Sequence, residues 1–386
     1  MSITPVRVAI IGGGIIGCLT AWRLKQQGMQ PVIIERGQLG RESSWAGAGI
    51  LCPIQPWLYP DDFTHLVDAS LDMYPALQKE LTERTGISPE WLQSGLMVPF
   101  FPDDAVDHRQ AALDWSQRFN WQVRELDAQQ TRHHEPLLAE DVGGALVWPE
   151  VAQLRNPRLL AAVDAILKQE QIEIVEQAEV AALIDVAGRV TGVSLTDGRA
   201  IHADAVLLAA GSWSGGLAES MGISLPVQPV KGQIVLLQSE PGELRHIVKH
   251  DSAYFVPRAD GRILVGASME MVGFKSGNTV AEVQSMLNAL TRLLPGLGQA
   301  SIERQWMGFR PGSADGLPFI GPVHERPGLW VASGHYRNGV ALAPITAHII
   351  SRWMAGEPPE MDMSCFLPSR TVLESSNIGF PAASVS

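Results

Sequence analysis

A glycine-rich turn close to the N-terminus constrains the fold of this chain more than any other feature. Gly12-x-Gly14-x-x-Gly17 follows the apolar, β-rich residues 6–11 and precedes a helical pattern that extends to about residue 28. A second apolar run follows at residues 31–35. A strand, a glycine turn, a helix and a second strand within about 30 residues are typical of the first unit of a doubly wound, Rossmann-type sheet that binds a dinucleotide.

Each position of this motif has its own physical role. Gly12 permits the tight turn, Gly14 lets the backbone approach a pyrophosphate, and Gly17 lets the helix pack closely on the strand. The helix N-terminus then offers free N–H groups and the positive end of its dipole to the phosphates. Glu35 ends the second strand, where its carboxylate can accept hydrogen bonds from ribose hydroxyls and disfavours a 2′-phosphate. The alternative is a turn with a purely structural role.

The rest of the chain alternates helical and strand patterns around one β-rich interruption. Its 386 residues suffice for about two or three domains. Helices are predicted at residues 62–83, 105–135, 157–170, 279–294 and 345–354. The β-rich stretch 226–270 interrupts the doubly wound pattern, so the sequence predicts two interleaved domains.

The predicted fold class is α/β plus α+β, with a Rossmann-type nucleotide-binding domain and a substrate domain built on an antiparallel sheet. The nucleotide-binding domain is predicted from residues 1–85, 151–222 and 306–368, and the substrate domain from residues 86–150 and 223–305. Residues 371–386 are Ser/Ala-rich and predict a disordered tail.

Charge and cysteine content exclude several classes of protein. The chain has 29 Lys and Arg against 41 Asp and Glu, a net charge of −12, which disfavours nucleic-acid binding. Cys18, Cys52 and Cys365 form no C-x-x-C pair and no disulfide framework, which favours a reducing compartment and predicts a cytoplasmic protein. No metal site is predicted, and no apolar run is long enough to predict a transmembrane helix.

Three further segments, in order along the chain, resemble one family of flavoenzymes. Residues 40–49 (GRESSWAGAG) and 308–322 (GFRPGSADGLPFIGP) resemble the second flavin-contacting loop and the C-terminal motif of the D-amino-acid-oxidase-like FAD-dependent oxidoreductases. Residues 333–344 (SGHYRNGVALAP) are similar to the flavin-closing segment of the glycine oxidase branch of that family. The resemblance spans residues 6–355, nearly the whole chain.

The resemblance implies one FAD, held without a covalent bond because residues 303–316 contain no cysteine. Gly334 and Gly339 would let the backbone approach a flat ring, and the helix predicted after Pro344 would point its N-terminus at a flavin carbonyl. The predicted cofactor-binding residues are Gly12, Gly14, Ile15, Ile16, Gly17, Glu35, Arg36, Ser43, Ser44, Ala48, Gly49, Ile50, Val180, Ala210, Gly211, Trp213, Gly308, His335, Tyr336, Arg337, Asn338, Gly339, Val340 and Ala341.

Two arginines are the main candidates for substrate binding. A guanidinium can hold a carboxylate through two parallel hydrogen bonds, and the resemblance places Arg310 and Arg337 at the substrate site. Tyr254 matches a tyrosine that adds a hydroxyl to this clamp, and Met269 is a candidate for the pocket wall. The alternatives are solvated or structural arginines, a core tyrosine and a core methionine. Some relatives carry a histidine where this chain has Ser252, which puts a catalytic base at that place in doubt.

The resemblance implies an oxidase that converts glycine and other small amines or D-amino acids into the 2-oxo acid, ammonia or an amine, and hydrogen peroxide. A hydride would pass from the substrate Cα to flavin N5, and dioxygen would be the acceptor. The expected partners are a small amino acid and dioxygen, the expected assembly is a homo-oligomer, and the expected role is in thiamine biosynthesis. The alternatives are a D-amino-acid dehydrogenase, a sarcosine-oxidase-like enzyme, or a non-catalytic FAD-binding module.

Overall fold

The computed structural model describes residues 5–52, 55–102, 104 and 106–372. In chain order the strands are β1 Arg7–Ile11, β2 Gln30–Ile34, β3 Ile50–Leu51, β4 Leu96–Phe100, β5 Arg124–Asp127, β6 Gly144–Trp148, β7 Ala152–Gln153, β8 Glu173–Val175, β9 Val180–Val186, β10 Arg189–Leu195, β11 Ala200–His202, β12 Ala205–Leu208, β13 Val227–Gln238, β14 Ile247–His250, β15 Ala253–Pro257, β16 Arg262–Gly266, β17 Ser301–Ser313, β18 Phe319–Pro322 and β19 Leu329–Ser333. The helices are α1 Ile15–Gln26, α2 Ser43–Ala46, α3 Asp61–Leu71, α4 Tyr74–Thr85, α5 Val106–Arg118, α6 Ala128–His134, α7 Asn156–Gln169, α8 Ser214–Ser220, α9 Val280–Leu293 and α10 Ala343–Met354.

A six-stranded sheet with the order β18-β19-β12-β1-β2-β8 carries the glycine turn. Its pairs are parallel except that of β18 with β19. Strand β1 is apolar on both faces because both are covered, as is typical of parallel sheets. Val8 and Ile10 pack in the cluster that contains α1, α7 and α10, whereas Ala9 and Ile11 pack on the opposite side. The sheet therefore lies between two apolar layers.

The opposite layer contains a small antiparallel sheet, β11-β10-β9, together with α8. Val190 and Val193 of β10 and Ala218 of α8 are buried in this layer. A turn at residues 196–198 connects β10 to β11, and the Leu195 N–H donates to the Arg199 carbonyl oxygen at 2.8 Å. This layer covers the face of the large sheet opposite α1.

A second large sheet has the order β17-β13-β16-β15-β14-β4-β6-β5. Its pairs are antiparallel except that of β14 with β4. Val235 and Phe255 pack with helix α9 on one face. Ile234 and Val256, their alternating neighbours, belong to a separate cluster on the other face. The predicted combination of a Rossmann-type sheet with a largely antiparallel sheet is confirmed.

Two helix predictions were wrong in part. Residues 62–83 form two helices, since α3 ends at Leu71 and α4 begins at Tyr74, with Pro75 in its first turn where no N–H is needed. Residues 105–135 contain the strand β5 between α5 and α6. Asn120, with a φ of +56°, follows α5 in the left-handed conformation that ends helices. The periodicity of the flanking helices concealed this break.

Strand β17 was not predicted, and it spans the predicted domain boundary at residue 305. Its first five residues are exposed, so its sequence lacks the apolar alternation of a half-buried strand. It is nevertheless paired with β13 along almost its whole length. The domain boundaries stay a prediction. Residues 373–386 of the predicted tail lie outside the described residues. Within the described part of the chain, no helix combines the length and apolar character needed to cross a membrane.

Candidate active site

The glycine turn lies between the C-terminal ends of β1 and β12. Gly12 has a φ of +112°, and a Cβ atom there would overlap the carbonyl group of Ala209. A Cβ atom at Gly17 would overlap the carbonyl oxygen of Gly12. Helix α1 therefore begins directly against the turn, with Gly14 as its N-cap residue. The Ile15 N–H at the start of the helix donates to the Ser44 hydroxyl at 2.9 Å.

The Glu35 carboxylate is held at the end of β2 by two backbone donors. The N–H groups of Gly13 and Gly37 donate to its two oxygens at 2.8 and 2.7 Å. Each oxygen keeps acceptor capacity for a further hydrogen bond. The neighbouring Arg36 guanidinium lies 3.7 Å from the centre of the Trp213 ring, a cation–π contact that orients both side chains.

A cavity of about 580 Å³ extends from Glu35 and Arg36 past the glycine turn to Tyr254 and Arg310. Its volume lies within the roughly 300–1,000 Å³ typical of cofactor and ligand sites. Of the residues predicted to bind the cofactor, those that line this cavity are Gly12, Gly14, Ile15, Ile16, Glu35, Arg36, Ser43, Ser44, Ala48, Gly49, Ile50, Val180, Ala210, Gly211, Trp213, Gly308, His335, Tyr336, Arg337, Gly339 and Val340. The structure thus brings together residues that lie far apart in the sequence, from Gly12 to Val340.

Three predicted cofactor residues lie behind the lining surface. Gly17 contacts the turn itself. The carbonyl oxygen of Ala341 accepts a hydrogen bond from the Ser70 hydroxyl at 2.6 Å, and this bond connects the chain around Ala341 to helix α3. Asn338 is buried, and neither polar atom of its side chain has a partner among the described residues. These positions support the cavity wall rather than form it.

Arg310 and Tyr254 lie over glycines of the second sheet. The Arg310 guanidinium occupies the space where Gly232 of β13 would carry a side chain, and it donates to the Ser268 carbonyl oxygen at 2.9 Å. A Cβ atom at Gly266 of β16 would lie 2.6 Å from the Tyr254 hydroxyl. Burial raises the pKa of Tyr254, and the adjacent Arg310 opposes that rise. The tyrosine is therefore a neutral hydroxyl beside a permanent cation.

Arg337 approaches the same end of the cavity from the segment that follows β19. Its guanidinium carbon lies 5.2 Å from the centre of the Tyr336 ring, and its Nη1 lies 3.9 Å from the Met269 sulfur. The Tyr336 hydroxyl donates to the same sulfur at 3.4 Å. Met269 does not line the large cavity, but it touches both residues that do. Its position is that of a support beneath them.

His335 is buried, and its Nε2 lies 3.0 Å from the Thr346 hydroxyl of α10. Burial lowers the pKa of His335 to about 3, so the ring is neutral at physiological pH. A neutral imidazole with a fixed hydroxyl partner has a structural role here. It orients the start of the segment that carries Tyr336 and Arg337.

An ion pair between a buried lysine, Lys231, and a partly buried glutamate, Glu270, was missed by the sequence analysis. Lys231 is 1% exposed, and its Nζ lies 3.3 Å from an oxygen of Glu270. The other Glu270 oxygen accepts hydrogen bonds from the Ser268 hydroxyl at 2.6 Å and from Gln233 at 2.7 Å. Backbone hydrogen bonds between Lys231 and Glu270, both at 3.0 Å, close the contact.

This network fixes residues 268–270, which contact both arginines. Ser268 supplies the acceptor for Arg310, and Met269 supplies the sulfur next to Arg337. The signal in the sequence was a pair of polar residues, Lys231 and Gln233, next to the apolar residues 234–237 of β13. Their partner Glu270 follows β16 and could not be paired with them without the fold.

Known proteins are similar to this chain over nearly its whole length. A family model described as "FAD dependent oxidoreductase" matches residues 7–353. The chain belongs to this family. It is 38% identical to a glycine oxidase of Pseudomonas putida over 94% of this chain and 98% of that one. A bifunctional protein ThiO/ThiG of Synechocystis is 35% identical over 95% of this chain and 54% of its own length.

A solved structure extends the similarity to three dimensions. The crystal structure of glycine oxidase from Geobacillus kaustophilus has a TM-score of 0.91 at 30% identity, covering 95% of this chain and all of that one. Membership of the family makes the chain an FAD-dependent oxidoreductase, as the sequence predicted. The resemblance carried by residues 40–49, 308–322 and 333–344 is therefore confirmed.

The residues around the large cavity fit FAD. Side chains at Gly12 and Gly17 would collide with backbone, so the absence of side chains lets β1, the turn and helix α1 pack closely, as in turns that hold a pyrophosphate. The start of α1 and the Ser44 hydroxyl suit a pyrophosphate, and the Glu35 carboxylate suits ribose hydroxyls. The two arginines, Arg310 and Arg337, line the same cavity as these phosphate- and ribose-binding groups.

Proposed function

We propose that this protein is an FAD-dependent oxidase that deaminates glycine and other small amines or D-amino acids. The observation that carries the proposal is that Arg310, Arg337 and Tyr254 line the same cavity, with both guanidinium groups close enough to Tyr254 to oppose the rise of its pKa. Two guanidinium groups and a neutral hydroxyl form a binding site for one carboxylate. The similarity to proteins named glycine oxidase supports the same substrate class.

The arginines act by orientation. A carboxylate held by the Arg310 and Arg337 guanidinium groups leaves the amine and Cα of a small amino acid directed away from the clamp. Bound FAD supplies a two-electron acceptor for this carbon, and dioxygen is the final oxidant. Tyr254 and Tyr336 stay protonated, because burial raises the pKa of both hydroxyls. They serve as hydrogen-bond donors and not as bases.

No titratable base at the clamp is required by this proposal. Ser252 stands where some relatives carry a histidine, and His335 is neutral and engaged with Thr346. The substrate therefore binds with its amine in the neutral form, since a protonated amine cannot release a hydride from Cα. The rate at low substrate concentration is expected to rise with pH as the free amine becomes more abundant.

The residues that line the cavity are proposed to bind FAD without a covalent bond. Gly12, Gly14 and Ser44 would hold the pyrophosphate, and Glu35 the ribose. His335, Gly339 and Val340 also line the cavity and are proposed to lie next to the flavin ring. The two discontinuous domains predicted from the sequence are proposed as the nucleotide-binding and substrate-binding parts.

Three wider properties belong to the same proposal. We propose a homo-oligomer in the cytoplasm whose product enters thiamine biosynthesis. Support for the last point is the similarity to a bifunctional protein ThiO/ThiG, of which this chain covers about half. Size-exclusion chromatography with light scattering tests the assembly, and growth of a deletion strain without thiamine tests the role.

The deciding experiment is anaerobic reduction by glycine. The visible flavin band of the purified protein should bleach when glycine is added without air. It should return on admission of air, with hydrogen peroxide formed in proportion. Bleaching without peroxide would identify a dehydrogenase that needs another acceptor. A flavin band that responds to neither glycine, sarcosine nor small D-amino acids would overturn the proposed function.

A further inference from the structure

A second cavity, of about 230 Å³, adjoins the carboxylate clamp. It shares Ile50, Cys52 and Tyr254 with the large cavity, so the two meet at the clamp tyrosine. Its walls are rich in aromatic side chains, contributed by Trp57, Phe100, Trp115, Trp121 and Trp148. Glycine has only five non-hydrogen atoms and needs no such space. The second cavity therefore has room for a part of the substrate that glycine lacks.

Lys249 gives this cavity a positive charge next to the clamp. It lies on β14 directly opposite Tyr254 of β15, and directly opposed residues of an antiparallel pair point to the same face of the sheet. Its ammonium donates to the Asp251 carbonyl oxygen at 2.8 Å. Among the described residues, no carboxylate lies within ion-pair distance of it. Burial and the nearby Arg337 lower the pKa of Lys249 to about 8, so it remains mostly protonated at pH 7.

Two other basic side chains that line this cavity, Arg109 and His250, already have acidic partners. Arg109 forms an ion pair with Glu125 at 2.6 Å. His250 lies 3.1 Å from Asp104 and 3.5 Å from the Asp251 carboxylate. Of the two cavity-lining residues Lys249 and Arg109, only Arg109 has a carboxylate partner among the described residues. A partly buried cation beside a second cation is stabilised by an anion.

We propose that the second cavity is a subsite of the active site that holds a second carboxylate of the substrate against Lys249. This inference rests on the proposed function for the position of the first carboxylate. The substrate class is a dicarboxylic amine, either an N-carboxyalkyl glycine or an acidic D-amino acid. Aromatic walls would pack on the methylene groups between the two carboxylates.

Such a substrate would be oxidised and then hydrolysed in the same way as glycine. In an N-carboxyalkyl glycine the Cα–H electron pair is lost to the oxidant, and a C=N bond forms as the nitrogen loses its proton. Water hydrolyses this bond to glyoxylate and the free amino acid. One dioxygen takes up two electrons and two protons and becomes hydrogen peroxide.

The subsite can be tested by binding alone, with ligands that cannot be oxidised. Succinate, glutarate and adipate would each be compared with its monoamide by isothermal titration calorimetry on the FAD-loaded protein. The monoamide has the same shape but no second charge. We expect one dicarboxylate to bind about tenfold more tightly than its monoamide, because its second carboxylate forms a charged hydrogen bond with Lys249.

Three variants locate the effect. Lys249→Met should abolish the preference for the dicarboxylate, and Lys249→Arg should retain most of it. Arg109→Met is the matched control, because it removes a cation of the same cavity that is already paired with Glu125. It should leave the preference intact. Equal binding of dicarboxylate and monoamide by the unmodified protein, or an unchanged preference in Lys249→Met, would overturn the inference.

Turnover measurements then show whether the substrate with the second carboxylate is an N-carboxyalkyl glycine or an acidic D-amino acid. N-(2-carboxyethyl)glycine and D-glutamate are compared with N-(2-carbamoylethyl)glycine and D-glutamine, and kcat/KM is expected to favour the charged member of one pair. The failure of the proposed function is distinguishable, because glycine would then not reduce the flavin although the calorimetric preference persists. Oxidation of glycine with no preference for dicarboxylates would leave the function standing and remove the subsite.

Discussion

The two ends of the large cavity differ in whether backbone or side chains form the wall. At the glycine turn the wall is backbone, and its shape depends on the absence of side chains at Gly12 and Gly17. At the clamp the wall consists of side chains from separate strands and loops, such as Arg310 and Arg337, each held by a neighbour. The first end is local in sequence, whereas the second exists only once both large sheets have formed.

This difference predicts two kinds of response to mutation. A backbone site has little freedom to adjust, because a methyl group added at Gly12 or Gly17 meets a carbonyl group next to the end of a strand. A side-chain site loses one interaction at a time and keeps its fold. Substitutions at the turn should therefore abolish cofactor binding, whereas those at the clamp should change substrate binding by graded amounts.

The largest effect is expected for Gly17→Ala. The new methyl group would overlap the Gly12 carbonyl oxygen, so helix α1 must move away from the turn. We expect at least a hundredfold loss of FAD affinity, or loss of soluble protein, because the helix N-terminus no longer lies at the phosphate position. The measurement is the flavin content of the purified protein and its dissociation constant for FAD.

Gly298→Ala is the control for this substitution. Its Cβ atom would meet only a methyl group of Thr291 at 3.8 Å, an ordinary contact. Flavin content should stay near that of the unmodified protein. Full FAD binding by Gly17→Ala would show that the turn tolerates side chains, and the distinction between the two ends of the cavity would then be lost.

Arg337→Ala comes next in size. It removes one guanidinium of the clamp while the backbone of the turn is untouched. We expect KM for glycine to rise about a hundredfold with FAD still bound, because a charged bidentate contact is lost. Steady-state kinetics and the flavin spectrum measure the two properties separately. A KM equal to that of the unmodified protein would remove Arg337 from the clamp, and loss of FAD would assign it to the cofactor instead.

A smaller effect on the clamp is expected for Lys231→Met, which acts at a distance. It leaves the partly exposed Glu270 carboxylate without its cation, so the free energy of unfolding should fall by about 1–3 kcal/mol. Residues 268–270 then lose their anchor, and KM for glycine should rise about tenfold. Thermal unfolding and kinetics are measured on the same sample. A loss of stability with an unchanged KM would show that the ion pair does not position the arginines.

Glu270 also adds a dependence of stability on pH. Burial alone would raise its pKa, but hydrogen bonds from Ser268, Gln233 and Lys231 lower the pKa below its usual value of 4.5. A carboxylate with a lowered pKa in the folded state stabilises the protein above pH 4.5, and this contribution disappears as the pH falls through the lowered value. Glu270→Gln should therefore flatten the decline in unfolding free energy below pH 4.5. An equally steep decline in the variant would contradict this role.

The glycine turn could be predicted from the sequence more fully than the carboxylate clamp. The turn, Glu35 and the apolar strand β1 were identified because their pattern is local and each residue type has one physical purpose there. Arg310 and Arg337 came from resemblance to a family, since nothing in their spacing shows that they converge. The Lys231–Glu270 pair was missed because its two residues are 39 positions apart in the sequence and come into contact only in the folded protein.

Strand β17 shows the limit of hydrophobic patterns in a different way. It pairs with β13 through backbone hydrogen bonds, which do not depend on the types of the residues. The first five residues of the strand are also exposed, so they need not be apolar. Lys249 was missed for a related reason. Its importance lies in its position opposite Tyr254, and that register depends on the turn between β14 and β15.

The smallest effect is expected for Met269→Leu. The substitution preserves volume but removes the sulfur that accepts from the Tyr336 hydroxyl and lies 3.9 Å from the Arg337 guanidinium. KM for glycine should rise about two- to threefold, and the free energy of unfolding should change by less than about 1.5 kcal/mol. Met269→Ala, which also removes the volume beneath both side chains, should raise KM further. If leucine and alanine gave the same KM, packing by Met269 would contribute nothing to the position of Arg337, and its sulfur alone would account for the effect.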